Sequence, residues 1–103
     1  MPYVKQEFRD FVDVEIDALL EKLQKIKHNH AESALDGEVN YTITRILDAL
    51  YGMGGYYVFN RAMGVVDCVG REFYRRKVAP YEDEKVLENG DVYFGLVQGV
   101  ENV

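Results

Sequence analysis

The chain has 103 residues and a formal charge of −6, an acidic surplus that opposes non-specific attraction to phosphate backbones and anionic lipid and so disfavours nucleic acid as a partner. Its 48% hydrophobic and 29% charged content is that of a folded globular chain rather than a disordered one. No run approaches the roughly 18 consecutive apolar residues that a membrane span requires.

In chain order, the first predicted element is an amphipathic helix over residues 14 to 27. Asp13 is its expected N-cap, because a short acceptor side chain can take an orphan N–H at a helix start. Ile16, Leu19, Leu20, Leu23 and Ile26 then step by three and four, with Lys22, Lys25 and Lys27 in the last turns. Phe8 and Phe11 lead into it through one looser turn. The following stretch HNHAESALDGE is polar and small, without a helical stripe, and reads as a loop closing at Asp36, the expected cap of the next helix.

The second helix is predicted over residues 37 to 51, on the spacing of Val39, Ile43, Ile46, Leu47 and Leu50, with Gly52 and the following MGG as its stop. A third, over 55 to 78, carries Phe59, Ala62, Met63, Val66, Val69 and Phe73 on one stripe. Unbroken, it would be about 36 Å long, against a radius of gyration of about 13 Å for a compact chain of this size. The spacing therefore predicts a bend or a second chain against it. Gly64 and Gly70, unfavourable in a helix interior, are read first as allowing a neighbouring helix to come close, with a ligand or a simple bend as the other readings.

Pro80 is expected to end the third helix, because the residue before a proline is pushed out of the helical region, and to open a short fourth one over 81 to 88. Asn89-Gly90 is the signal for its C-cap. The expected architecture is mainly α, a small helical bundle of three to four helices forming one domain over 1–93, with an extended C-terminal tail over 94–103.

Chemistry-bearing residues are sparse. His28 and His30 form an H-x-H pair with too few ligands nearby for a zinc site. Cys68 is read as a small buried hydrophobe with no histidine in helical reach. As a lone cysteine it forms no internal bridge; with an N-terminus that has no signal-peptide core, it points to a reducing cytoplasm. Glu38, Asp48, Asp67 and Glu72 are the acids eligible for a metal, with Mg²⁺ as the implied ion. They do not form the paired E-x-x-E and E-x-x-D of the all-α nucleoside triphosphate pyrophosphohydrolases, so the likeness is one of size and helix content.

The segregated charges around Pro80 are the main anomaly. Arg71, Arg75, Arg76 and Lys77 precede it, and Glu82, Asp83, Glu84, Glu88 and Asp91 follow. Glu72 and Arg76 have the favoured i,i+4 order for a helical ion pair, worth about 0.2–0.5 kcal/mol. Tyr74, Tyr81 and Tyr93 surround the cluster in a chain with eight tyrosines and no tryptophan, and such side chains are enriched at interfaces.

The segments GEVNYTITRIL (37–47) and EFYRRKVAPYEDEKVLENGDVY (72–93) resemble a small family, a domain of unknown function found in microbes and their viruses. Its members read like G-E-L-N-Y-x-I-T and E-F-Y-R-R-x-x-x-P-Y-E-D. The resemblance covers roughly residues 36 to 93 and implies a shared helical fold with no assigned reaction. Three readings follow for the chain. The first is a self-associating protein whose interface uses Arg71, Glu72, Tyr74, Arg75, Arg76, Tyr81, Glu82 and Asp83. The second is a Mg²⁺-dependent nucleotide or phosphate hydrolase using Asp67, Glu72 and either Glu38 or Asp48. The third is a phosphate-binding module gripping its anion with Arg71, Arg75 and Arg76.

Overall fold

Helix α1, Gln6–Asn29, starts well before Asp13. The computed structural model of the chain describes residues 1–30 and 32–93. Residues 6–12 contain neither glycine nor proline, and local contacts carry the helix through them. The Gln6 amide donates to Asp10 Oδ1 at 2.8 Å, and the Phe8 and Phe11 rings lie 6.4 Å apart on successive turns. Arg9 Nε donates to the Val4 carbonyl at 2.8 Å and ties down the extended residues before the helix. Lys5, extended at ψ 152°, is the cap and makes no side-chain capping bond. Asp13 is thus an interior residue, and the expected start at 14 moves back by two turns.

The expected loop after Lys27 also contracts. α1 runs to Asn29, and His30 leaves it in extended geometry while its N–H closes on the Ile26 carbonyl at 3.0 Å. Helix α2, Glu32–Tyr51, begins two residues later. Glu32, Ala34 and Leu35 are helix formers, so a polar stretch without a stripe still has nothing in it to hold a loop open. Asp36, expected as a cap, lies inside α2. The two helices pack against each other about this short connection, with Leu23, Ile26 and Leu35 half-buried along the seam.

The stop after α2 falls where expected. Gly54 and Gly55 have φ of +123° and +86°, a region that side chains with a Cβ adopt only under strain. Helix α3, Tyr56–Phe73, follows. The chain divides into two compact units, Met1–Val66 and Asp67–Val103. In the first, Leu47, Tyr51, Val58 and Ala62 are half-buried beside the turn, and an open groove there is lined by Leu47, Tyr51, Phe59 and Met63.

In the second unit the end of α3 passes without interruption into a π-helical turn, Tyr74–Val78, and then into helix α4, Ala79–Asn89. Pro80 does not break the chain's helical course. A proline within an α-helix lacks the N–H its i−4 carbonyl needs and clashes with that carbonyl. Here the Ala79 N–H reaches back five residues to the Tyr74 carbonyl, widening the turn that faces the proline ring. Pro80 then sits in the first turn of α4, where its missing donor costs nothing. At the far end Gly90, with φ +90°, closes α4 by donating to the Val86 carbonyl at 2.8 Å, as the Asn89-Gly90 signal predicts. The expected tail from Phe94 lies outside the described residues.

The helical architecture is as expected, but its apolar faces are not enclosed. No side chain is buried among the described residues, and the most covered are only intermediate. The stripe of α3 stands open, with Met63 66% and Phe73 61% exposed. A Cβ built on Gly64 or Gly70 would meet nothing within 4 Å. Among the described residues neither glycine shows the close approach for which it was read.

Candidate assembly surface

The cluster around Pro80 is built from one helical segment, and short-range ion pairs order much of it. Arg71 Nε donates to Asp67 Oδ2 at 2.7 Å. Arg75 grips Glu72 with both arms of its guanidinium, Nε to Oε1 at 3.1 Å and Nη2 to Oε2. Lys85 Nζ reaches Glu88 Oε1 at 3.2 Å. These pairs are largely solvated, so each supports its helix by only a few tenths of a kcal/mol. Two of the three arginines proposed as an anion grip thus already hold carboxylates. Glu72 is the most covered acid of these pairs, with its side chain 23% exposed.

Tyr74 and Glu82 are brought together by the π turn. The Tyr74 hydroxyl donates to Glu82 Oε1 at 3.3 Å across eight residues. In a regular α-helix residues eight apart are rotated by about 80° from one another, whereas those seven apart nearly align. The residue inserted by the π turn restores that alignment for positions 74 and 82. Glu82 holds the Tyr74 phenol above its ordinary pKa, chiefly through the carboxylate's charge, with partial desolvation, the hydrogen bond itself, and Tyr93 and Asp83 adding to it. Residues 91–93 come back along α4, where Val86, Asn89 and Tyr93 line an open groove. The Tyr93 N–H closes on Asp91 Oδ1 at 2.8 Å.

The tyrosine surplus has a local explanation that spacing alone could have revealed. Arg45 lies over the Tyr41 ring at 5.9 Å, Arg61 over Tyr57 at 5.7 Å, and Lys85 over Tyr81 at 5.6 Å. Each pair is Tyr-x-x-x-Arg or Tyr-x-x-x-Lys, one turn apart on a helix. Arg61 also covers the Tyr51 ring at 5.8 Å, across the glycine turn. Exposed contacts of this kind contribute about 0.5–1 kcal/mol each. Four of the eight tyrosines thus lie under a cation, and Arg61 additionally clasps the ends of α2 and α3.

The remaining candidates stay dispersed. Glu38 and Asp48 lie on α2 in the first unit, and Asp67 and Glu72 lie on α3 in the second. Among the described residues no three His, Cys, Asp or Glu side chains come together as a metal-binding group. His28 is in the last turn of α1 and His30 caps it. Cys68 is exposed rather than buried.

A family profile described as Domain of unknown function (DUF6899) matches residues 1–92. The chain belongs to the DUF6899 family. The match takes in both quoted segments except Tyr93 and extends through α1, well beyond the resemblance read from residues 36–93. No curated protein and no solved structure matches the chain. In this DUF6899 domain no helix among the described residues is long and apolar enough to cross a membrane.

Proposed function

We propose that this DUF6899 chain is a homo-oligomeric assembly module, whose helices complete their hydrophobic contacts against further copies of the same chain. The observation that carries this reading is the absence of any buried side chain among the described residues, while large apolar groups stand open on every α-helix. Phe11 on α1 is 78% exposed, Leu50 on α2 72%, Met63 on α3 66% and Leu87 on α4 86%.

The described residues thus bury little apolar surface among themselves. Ordering each residue's backbone costs about 1–2 kcal/mol, and helices in proteins are held mainly by burial of an amphipathic face. The solvated ion pairs and cation–π contacts described above are too small to supply the difference. Covering these stripes would contribute about 25 cal/mol for each Å² of apolar surface removed from water. A second copy suits the segregated charges of residues 71–91, because an opposite-sign partner for each run is present on an identical chain. The lone cysteine suits a cytoplasmic setting, where thiols stay reduced.

Assembly coupled to folding makes thermal stability depend on chain concentration. The midpoint of thermal unfolding is expected to rise across about a hundredfold increase in concentration. A midpoint that stays constant over that range would contradict the proposal.

A further inference from the structure

The charged segment fits a particular geometry of self-recognition. Arg76, Pro80 and Glu84 are spaced by four along a continuous helical course, which puts them close to one face. Leu87 follows Glu84 by three and is 86% exposed. The basic residues Arg76 and Lys77 lie on the N-terminal side of Pro80 and the acids Asp83 and Glu84 on the C-terminal side. A two-fold axis at Pro80 would therefore set Arg76 against Glu84 of a second copy and Lys77 against Asp83, each contact occurring twice. A two-fold interface must be complementary to itself, and the charges at positions 76, 77, 83 and 84 are so about Pro80.

Within the chain, Asp83, Glu84 and Lys77 have no ion-pair partner among the described residues. By contrast Asp67 and Glu72 are engaged by Arg71 and Arg75. Three of the four charges set in contact are thus without an ion pair among the described residues, and Arg76 also interacts within the chain. The missing N–H of Pro80 and the widened turn before it also give this part of the helix a distinct contour at the centre of the face.

We infer that two copies pair antiparallel through residues 76–84, with Pro80 at the two-fold axis and Arg76 and Lys77 of each against Glu84 and Asp83 of the other. This rests on the self-association reading above and specifies its geometry. Opposite charges at such an interface set partner choice and register, and like charges placed together exclude it.

The test uses the full chain with two charge-reversed variants, Arg76→Glu/Lys77→Glu and Asp83→Lys/Glu84→Lys, followed by sedimentation velocity, with circular dichroism confirming helicity. Each variant alone is expected to lose self-association by about tenfold or more, and an equimolar mixture to recover it. The quadruple variant carrying both reversals on one chain should also associate, which provides a second readout if either double variant folds poorly. Wild-type association that survives unchanged in both double variants, or a mixture and a quadruple variant that recover nothing, would overturn antiparallel pairing and leave self-association standing. Wild-type chain that sediments as a monomer would overturn both.

Discussion

At the scale of single residues, the contacts that define the second unit are short-range and solvated, and Tyr74 is the most informative of them. Its raised pKa follows from a carboxylate placed beside the phenol, so the neutral phenol is favoured in the folded chain. The linkage has a definite sign. The hydrogen bond's contribution is fully present below the ordinary tyrosine pKa of about 10 and is lost as pH rises through the raised folded value. A spectrophotometric titration of tyrosinate should show a late component from Tyr74, above the ordinary tyrosine range. Tyr74→Phe should remove that late component, and Glu82→Gln should return it towards the ordinary range. A late phenol that persists in Glu82→Gln would refute the assignment to this pair. The pairing was hidden in the sequence, since positions eight apart do not normally face each other. Tyr41-Arg45, Tyr57-Arg61 and Tyr81-Lys85 were visible as spacings, and reading tyrosine as an interface residue obscured them.

At the scale of elements, Gly64 offers a clean test of what lies beside α3. Open space surrounds its Cβ direction, and alanine is favoured over glycine in a helix by about 0.8–1.0 kcal/mol. Gly64→Ala should therefore raise the thermal midpoint at fixed chain concentration, whereas a lowered midpoint would mean that another copy approaches α3 at this position. The apolar stripes of α1, α2 and α3 were legible from periodicity, as were the turn after Tyr51 and the cap at Gly90. Helix starts were less legible. Asp13 and Asp36 have the chemistry of caps, yet no breaker precedes either, and the helix continues back through them. Pro80 misled in a different way. Its effect on a regular helix is to break it, but a π turn just before it moves the opposing carbonyl, an adjustment that local composition does not announce.

At the scale of the whole molecule, the absence of buried side chains among the described residues was the least legible property. The sequence has the apolar content of a chain that encloses its own core, and composition does not distinguish burial within one chain from burial between copies. The charge pattern around Pro80, together with a predicted third helix too long for a compact monomer, is what the sequence offers for the proposed burial between copies. The DUF6899 match over residues 1–92 takes in all the described helices. The proposed self-association would explain why helices with such open stripes belong to a folded protein, and would make the oligomer the unit on which any further activity is built. Static light scattering of the full chain, coupled to size-exclusion chromatography at micromolar concentration, measures this directly. The account predicts a mass at least twice the 11.9 kDa of one chain; a folded, helical species with the mass of a single chain would contradict it.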